Sequence, residues 1–387
     1  MKIAFIVDKI APEYTGGYEE RVWSFALGLA RSHEVRVYTA LTTPGSTGQQ
    51  NPRKMRCGPY LARRRVTSRS VSHSVLYSLG LLSNPFGKWS PDAVVVEAIP
   101  YLHLYSMRRW IDSLSCAKLL DVVEAWARYL PGRGLLAGPS LGLIRSLLAL
   151  GLAWSDMAIV AASPTAISLS KHYGFDRTRV IPTGVELPKS ESRHEGVAAE
   201  DLYDFATLGR LVPDKRQSDF IEALGILRAT GWNGRAVVIG DGPSLSRLQV
   251  LAREADLDSR IDFPGRVSHK EKFELLNNSR IFVLCSEREG QSISTLEALA
   301  CGLPAIVAQP AYEEVFGVSD LVTDRVNGLC YPAGETRALA RCMRLLLDDP
   351  ESRRRYSEAA TLAAGRYNWD TVIGDLEATI MATVSAR

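Results

Sequence analysis

Two glutamates, Glu289 and Glu297, stand eight positions apart around a polar turn that begins with Gly290. Glycine allows the backbone to come close to a ligand, and a helix that starts after the turn leaves its first N–H groups without helical partners. Such N–H groups attract phosphate, and carboxylates accept hydrogen bonds from hydroxyl groups. The spacing therefore predicts a site for a ligand that joins a sugar to a diphosphate.

The amides of this predicted helix start belong to four consecutive residues, Gln291, Ser292, Ile293 and Ser294. A simpler interpretation of the same stretch is a capping box, in which Ser294 and Glu297 serve only their own helix. The stretch taken alone leaves both interpretations open, so the rest of the chain has to favour one of them.

Two cations follow another apolar strand, in the segment "TLGRLVPDKRQSDFIEALGIL". Arg210 comes at the carboxyl end of that strand and Lys215 near the start of the next helix, which is the edge at which α/β sheets bind ligands. Two positive charges at this edge can neutralise a diphosphate and stabilise it as a leaving group. A solvated surface charge is the alternative interpretation of Lys215 alone.

The elements that must position these residues alternate between apolar runs of strand length, such as "KIAFIVD" and "DAVVVEA", and amphipathic helical segments. Continuous apolar strands between helices indicate parallel sheets that are covered on both faces. At 387 residues the chain exceeds the length at which one core keeps growing. The sequence predicts an α/β protein with two Rossmann-like domains facing across a cleft, formed by residues 1–187 and 201–366 around a polar linker at 188–200.

The composition, 46% hydrophobic and 23% charged, is that of a globular protein and excludes global disorder. Six scattered cysteines without a CxxC pair favour thiols in a reducing cytosol over disulfides or zinc. Asp8 and Lys9 interrupt the N-terminal apolar run, which favours a first strand over a signal peptide. No apolar stretch is long enough to span a membrane, so we expect a cytoplasmic protein.

The net charge of +3 is divided unequally along the chain. Residues 1–190 hold 23 Lys and Arg against 13 Asp and Glu, a net charge of +10, whereas residues 191–387 hold 23 against 30, or −7. Much of the excess lies in a basic segment that contains Arg63, Arg64, Arg65 and Arg69 among aliphatic and aromatic residues. This segment favours peripheral contact with an anionic membrane. A solvated basic loop is the alternative, and no recognised motif supports nucleic acid.

Several motifs in order resemble the retaining glycosyltransferases of the GT-B fold, specifically the large group-1 family, family 4. The motifs are "TGGYEERVWSFALGLA", "SPTAISLSKHYG", "VIPTGVEL", "LGRLVPDK", "VVIGDGP", "IDFPGRV", "SEREGQSISTLEALACGLPAIV" and "VNGLCYPAG". The resemblance covers essentially the whole chain. It implies that the final helix, residues 367–387, returns to the N-terminal domain.

The activity that the resemblance implies is transfer of a sugar, with retention, from a UDP- or GDP-sugar to a hydroxyl acceptor. The N-terminal domain would bind the acceptor and the C-terminal domain the donor, without a metal or other cofactor. Synthesis of cell-envelope polysaccharide, glycolipid or lipid-linked glycan is the expected setting. Two alternatives stay open: a non-catalytic descendant that binds nucleotide sugar, and a nucleotide-sugar epimerase of the same fold.

The resemblance also assigns roles to the residues introduced above. Glu289 would contact hydroxyls of the donor sugar near the reacting carbon and Glu297 the ribose, while Arg210 and Lys215 would bind the diphosphate. The remaining donor-binding positions that match family motifs are Gly16, Gly17, Gly240, Arg266, Gly290, Gln291, Ser292, Ile293 and Ser294.

Two departures from the family pattern concern this site. Many members read "EGFG" where this chain has Glu289-Gly290-Gln291-Ser292, and the small serine keeps the backbone role. Many members also carry a histidine after the strand "KLLDVV", where this chain has Glu124. The role of this histidine has three candidates in this chain, Glu124, Glu97 and His103. For His103, a position in the core is the alternative interpretation.

Overall fold

The computed structural model describes residues 1–9, 17–39, 52–56, 71–124, 137–187, 203–286, 288–310 and 317–387. These residues fold as two compact units. The first unit consists of Met1–Thr183 together with Trp369–Arg387, and the second of Gly184–Asn368. The predicted linker at 188–200 lies outside the described residues.

The first unit is built on one parallel sheet. Its strands are β1 (Lys2–Val7), β2 (Glu34–Thr39), β3 (Arg53–Arg56), β4 (Ala93–Glu97), β5 (Ala117–Val122), β6 (Met157–Val160) and β7 (Thr178–Val180). Its helices are α1 (Gly17–Leu29), α2 (Val71–Gly80), α3 (Leu102–Ile111), α4 (Ala137–Trp154), α5 (Ser163–Tyr173) and the last helix of the chain, α12 (Trp369–Ser385). The strand order in the described part is β3-β2-β1-β4-β5-β6-β7.

The second unit repeats this plan. Its strands are β8 (Tyr203–Leu208), β9 (Ala236–Ile239), β10 (Ile261–Gly265), β11 (Ser279–Leu284), β12 (Ala305–Gln309) and β13 (Gly328–Pro332). Its helices are α6 (Gln217–Ala229), α7 (Leu245–Glu254), α8 (His269–Asn277), α9 (Ile293–Ala300), α10 (Thr336–Asp348) and α11 (Pro350–Gly365), with 3-10 turns at Pro213–Lys215 and Gly317–Asp320. The strand order in the described part is β10-β9-β8-β11-β12-β13.

Both sheets start in the middle, grow outward in one direction, and then return to the middle to grow in the other. The reversal falls between β1 and β4 in the first unit and between β8 and β11 in the second, and both pairs are parallel. This is the doubly wound order, in which ligands bind at the carboxyl ends of the two strands that flank the reversal. The predicted α/β class with two Rossmann-like domains is confirmed.

Alternate residues of the buried strands face different helical layers. Along β1, Ala4 and Ile6 pack in the core that α2, α3 and α4 cover, whereas Ile3 and Phe5 pack in the core that α1 and α12 cover. Because the side chains of a strand alternate between the two faces of a sheet, both faces need an apolar covering layer. This requirement explains why the strands read as continuous apolar runs.

The last helix, α12, belongs to the first unit, although the chain reaches it from the second. Val372 and Leu376 pack in the core beside α1. Gly28 permits this approach, because a Cβ atom there would lie only 2.3 Å from Ile373 Cδ1. The return of the final helix to the N-terminal domain agrees with the predicted fold class.

The five cysteines of the described residues are free thiols, and Cys116, Cys285 and Cys301 are buried. Burial raises the pKa of Cys285 to about 12 and that of the half-buried Cys330 to about 11. A thiol reacts through its thiolate, so neither side chain is activated. Cys57 lies outside the described residues.

Candidate functional site

The helix α9 begins directly after the loop that follows β11, at the reversal point of the second sheet. Ser292 is its N-cap, and the Ser292 hydroxyl accepts hydrogen bonds from the backbone N–H and the hydroxyl of Thr295, at 3.3 and 2.9 Å. Ile293 and Ser294 are the first two helical residues, and their N–H groups lack acceptors within the helix. Two of the four predicted amides, those of Ile293 and Ser294, therefore lie in the first turn of this helix.

The capping-box interpretation of Ser294 and Glu297 is wrong, because the cap is Ser292. The N3 position of a capping box then falls on Thr295, and Glu297 is the fifth helical residue. The Glu297 carboxylate instead forms an ion pair with Lys272 of the neighbouring helix α8. Glu297 is thus available to a second element and does not serve as the cap of its own helix.

Glu289 forms the second ion pair of this loop. Lys215 donates from Nζ to Glu289 Oε1 at 2.7 Å, and the two side chains are 18% and 12% exposed. The Glu289 backbone is also held, because its carbonyl accepts a hydrogen bond from the Gly317 amide at 2.8 Å. The contact joins the segment after β8 to the loop after β11, so the structure brings together a predicted cation and a predicted carboxylate.

Arg210 lies on the same edge, two residues beyond the end of β8, and its side chain is exposed. Its backbone carbonyl accepts a hydrogen bond from the Gln217 side-chain amide at 3.0 Å, and the next residue, Leu211, donates to the Asp241 carbonyl at 2.9 Å. The guanidinium therefore extends from a fixed backbone at the reversal point of the sheet. Charged groups of both signs meet at this edge.

Lys272 is a residue of this site that sequence reasoning missed. Its side chain is 16% exposed, and its ammonium donates to Glu297 Oε1. A lysine in the surface helix "HKEKFELLN" carries no distinguishing signal, and Lys270, two residues earlier, is a solvated neighbour that is 86% exposed. Only the packing of α8 beside α9 distinguishes the two lysines.

Gly240 and Arg266 lie at the ends of β9 and β10. Gly240 has a φ of +137°, and a Cβ atom on it would lie 1.9 Å from the Gly209 carbonyl oxygen. Close packing against the segment that carries Arg210 therefore requires this glycine, whatever it contributes to binding. The side chain of Arg266 is exposed at the carboxyl edge. Donor contact by either residue stays a prediction.

The predicted residues of the first unit lie in different surroundings. Gly16 and the arginines of the basic segment lie outside the described residues, and Gly17 is the first residue of α1. His103 is fully buried, and its Nε2 atom lies 2.7 Å from the Glu97 carbonyl. This is the core position that was the alternative to a catalytic role for His103. Glu97 is buried as well, and its carboxylate accepts from the Asp8 amide at 2.8 Å. Glu124 is half-buried.

A buried ion pair in the first unit was also not predicted. Arg21 of α1 pairs with Asp121 at the end of β5 and donates a second hydrogen bond, of 2.7 Å, to the Ile181 carbonyl. Burial raises the pKa of Asp121, and the Arg21 guanidinium opposes this rise. Tyr18 donates to the same carboxylate at 3.3 Å, so Asp121 holds the first turn of α1, which begins at Gly17.

Residues 188–363 match the family model described as glycosyl transferases group 1. Through these residues, the chain is similar to the group 1 glycosyl transferases. The matched segment contains the whole cluster described above: Arg210, Lys215, Lys272, Glu289, the start of α9 and Glu297. It also contains every strand of the second sheet.

Among the curated relatives of this chain is the alpha-D-kanosaminyltransferase of Streptomyces kanamyceticus. It is 32% identical over 162 residues, which are 42% of this chain and 41% of that protein. A GDP-mannose-dependent alpha-(1-6)-phosphatidylinositol dimannoside mannosyltransferase of Mycobacterium tuberculosis is 28% identical over 222 residues, 55% of each chain. The chain thus spans about half the length of these relatives.

Solved structures match the chain over its full length at low identity. Sucrose-phosphate synthase from Thermosynechococcus elongatus has a TM-score of 0.79 at 18% identity, with 100% of both chains covered. Anabaena HepE, solved in complex with UDP, has a TM-score of 0.75 at 16% identity and covers 99% of this chain and 100% of its own. These matches show that the fold is GT-B.

Two further observations bear on the surroundings of the site. Within the described residues, no three His, Cys, Asp or Glu side chains are grouped so that they could hold a metal ion. None of the helices in the described part of the chain is long and apolar enough to cross a membrane.

Proposed function

We propose that this chain is a retaining glycosyltransferase, which moves a sugar from a nucleotide diphosphate sugar to a hydroxyl acceptor. The observation that carries the proposal is the placement of positive groups and carboxylates at the reversal point of the second sheet. Lys215 and Arg210 stand after β8, and the free amides of α9 stand after β11, flanked by the carboxylates of Glu289 and Glu297. A nucleotide sugar needs both features, because its diphosphate is anionic and its two sugars carry hydroxyls.

The roles that we propose follow from these positions. Arg210, Lys215 and the first amides of α9 bind the diphosphate and stabilise the negative charge that grows as it leaves. Glu289 accepts hydrogen bonds from hydroxyls of the donor sugar, and Glu297 from the ribose. The bond between the anomeric carbon and the phosphate oxygen breaks while the acceptor oxygen bonds to the same face. The leaving phosphate takes the acceptor proton.

We further propose that the reaction needs no divalent ion. In sites that use one, the cation neutralises the charge of the leaving diphosphate. Arg210, Lys215 and the α9 amides supply positive charge at the corresponding place in this site. Turnover measured with and without a chelator tests this part of the proposal separately from the transfer itself.

The donor that we propose is a UDP- or GDP-sugar. HepE, which shares the fold, was solved with UDP, and the mycobacterial relative is named as GDP-mannose-dependent. The acceptor that we propose is a hydroxyl of an oligosaccharide or lipid-linked glycan bound by the N-terminal domain. A cytoplasmic enzyme held on the inner membrane face through Arg63, Arg64, Arg65 and Arg69 would reach such a lipid, and these arginines lie outside the described residues.

Binding of nucleoside diphosphates tests the proposal first. We would measure thermal shifts and calorimetric affinities for UDP, GDP and their sugars, with chelator and then with magnesium. Lys215→Ala is expected to weaken nucleoside diphosphate binding about ten- to a hundredfold, because it removes one cation and leaves Glu289 without its partner. Lys270→Ala, on an exposed lysine of α8, is the matched control and should bind as the wild type does.

Each alternative outcome has its own meaning. Binding without release of nucleoside diphosphate from any donor would favour the non-catalytic descendant. An epimerised nucleotide sugar without free nucleoside diphosphate would identify an epimerase. Failure of every nucleotide to bind, or wild-type affinity in Lys215→Ala, would overturn the assignment of the site.

A further inference from the structure

The helices α2, α3 and α4 lie side by side on one face of the first sheet. Their inner side chains, such as Tyr77, Met107 and Leu148, are buried in one continuous core with residues of β1 and β4. The helix α3 is the middle member, since it packs against both α2 and α4. The outward sides of the three helices therefore form one surface of the first unit.

This outward surface exposes large apolar side chains. Tyr105 of α3 is 62% exposed, Leu143 of α4 59% and Leu79 of α2 52%, and Val75 and Leu82 extend the row on and just after α2. Val75 and Leu79 are four residues apart and so lie on one side of α2, and Leu82 follows in the turn after this helix. Grouped apolar exposure of this kind marks an interaction surface, whereas isolated exposed leucines do not.

The same surface is cationic and almost without acidic residues. Its exposed charges within the three helices are Arg108, Arg109 and Arg145, and none of them forms an ion pair with a described residue. The sequences of α2, α3 and α4 contain no Asp or Glu. The acidic residue nearest along the chain, Asp112, follows the end of α3. Arginines beside exposed apolar side chains match an interface that is anionic outside and apolar inside.

The opposite face of the first sheet carries charge of the other sign. There α12 contributes Asp370, Asp375 and Glu377 without a Lys or Arg, and α1 begins with Glu19 and Glu20. Arg31 and His33, which follow α1, pair with Asp370 and Glu377, so the acidic residues remain in excess. The first unit therefore presents opposite charge on its two helical layers. A negatively charged membrane would orient such a unit with the layer of α2, α3 and α4 facing the bilayer.

We propose that the outward side of α2, α3 and α4 is a docking surface for an anionic lipid bilayer. Tyr105, Leu79 and Leu143 enter the interfacial region, while Arg108, Arg109 and Arg145 contact lipid phosphates. The surface differs from the basic segment 63–69 and acts through described residues. It deepens the proposed use of a lipid-linked acceptor, but bilayer binding does not depend on glycosyl transfer.

The surface extends along the helices from the first turn of α3 toward the helix ends. A helix that follows a strand of a parallel sheet begins at the carboxyl edge of that sheet. Tyr105 lies in the first turn of α3, which follows β4, and Leu143 in the second turn of α4, which follows β5. Leu79 and Arg109 lie in the last turns of α2 and α3, so the bilayer would contact the length of this helical layer.

Two variants separate the apolar and the charged contributions. Leu79→Ser/Leu143→Ser removes apolar contact, and Arg108→Gln/Arg109→Gln/Arg145→Gln removes charge. The matched controls carry the same changes on exposed residues of the second unit: Leu345→Ser/Leu362→Ser and Arg253→Gln/Arg337→Gln/Arg366→Gln. Thermal unfolding and UDP or GDP binding of each variant verify that both units remain folded.

The measurement is co-sedimentation with vesicles of phosphatidylcholine alone and of phosphatidylcholine mixed with phosphatidylglycerol, without donor, at low and physiological salt. The wild type is expected to bind the anionic vesicles in a salt-sensitive way. At about 1 kcal/mol for each basic residue, the triple arginine variant should lose roughly a hundredfold in partition coefficient. The leucine variant should lose about tenfold even at high salt, where screening leaves apolar contact as the main attraction.

Three results would overturn the proposal. The wild type fails to bind anionic vesicles, the two surface variants bind as tightly as their controls, or the leucine variant abolishes a concentration-dependent dimer while vesicle binding is absent. The last result would assign the surface to a second copy of the chain. Because donor binding is measured on the same samples, loss of the proposed function and loss of docking are distinguishable.

Discussion

Each of the two glutamates that are proposed to bind sugar hydroxyls contacts a lysine of the protein. Lys215 pairs with Glu289 and Lys272 with Glu297, and all four side chains are less than one-fifth exposed. An ammonium partner in hydrogen-bond contact limits the rotamers of a carboxylate. In the Glu289 pair the ammonium contacts Oε1, and we propose that Oε2 accepts from a donor hydroxyl. The pairs prepare the glutamates as oriented acceptors.

The first prediction at this scale concerns Glu289→Gln. The amide keeps the size of the side chain but weakens the acceptor beside the reacting carbon and leaves Lys215 without its anionic partner. We expect turnover to fall by about a hundredfold or more, with a change of less than about fivefold in nucleoside diphosphate affinity. Steady-state kinetics and calorimetry measure the two quantities, and Glu274→Gln on α8 is the control. An equal loss in both would contradict the assigned role.

The second prediction concerns Lys272→Gln. If Lys272 orients Glu297 toward the ribose, its loss should reduce the preference for ribonucleoside over 2′- and 3′-deoxyribonucleoside diphosphates. We expect that preference to fall by about tenfold, since a hydrogen bond to a charged group contributes about 1.5–3 kcal/mol. Lys270→Gln should leave the ratio unchanged. A uniform loss of affinity for all three nucleotides would show that Lys272 acts only on stability or general charge.

The start of α9 matters most among the secondary-structure elements. It brings amides without helical acceptors to the reversal point of the second sheet, and the position of its N-cap determines whether Glu297 can cap the helix. With Ser292 as the N-cap, Glu297 lies two residues beyond the N3 position of a capping box and pairs with Lys272. The sequence "SISTLE" permits caps at either serine, and the loop that leads from β11 selects between them.

A cap substitution tests this element. Ser292→Ala removes the acceptor for the Thr295 amide, and the free energy of unfolding should fall by about 1 kcal/mol. Nucleoside diphosphate affinity should fall as well, because the phosphate-facing amides lose their fixed direction. Asp349→Ala removes a comparable cap from α11, where Asp349 accepts from the Ser352 amide at 2.9 Å. This control should lose stability without losing affinity, and the same affinity loss in both variants would refute a local role for Ser292.

At the scale of the whole molecule, the two units repeat one doubly wound plan but use it differently. The second unit places lysines and glutamates at the reversal point, where they are partly exposed. The first unit places buried residues there, with the Glu97 carboxylate held by the Asp8 amide and Arg21 paired to Asp121. The two halves of the chain differ in net charge, and the carboxyl edges of their sheets also differ in whether their charged groups are buried or partly exposed.

The contact of α12 with α1 supplies a prediction at this scale. Gly28→Ala would place a Cβ atom 2.3 Å from Ile373 Cδ1, so α12 or the isoleucine must shift, and we expect the first unit to lose about 1–3 kcal/mol of stability. Gly374→Ala, at a helical glycine of α12 with open space around its Cβ position, should instead gain about 0.5–1 kcal/mol. Denaturant unfolding of the two variants measures both changes. Equal stability of the two would contradict the proposed packing of α12.

The sequence by itself determined the fold class and most of the charged residues at the carboxyl edge of the second sheet. The apolar runs have the length of strands and alternate with helical segments, and this pattern predicts doubly wound sheets. The runs are continuous because strands that are buried on both faces have to be apolar throughout. Arg210, Lys215 and Glu289 were predictable from their places after strands, since the carboxyl ends of parallel strands meet at one edge.

Only the tertiary structure decided which side chains meet. Lys272 and Lys270 are alike in sequence, and the packing of α8 beside α9 makes one a partner of Glu297 while the other stays solvated. Asp121 and Arg21 stand one hundred positions apart, so no local pattern could pair them. Long-range contacts of this kind depend on the way the helical layers cover the sheet, which local propensity and periodicity do not encode.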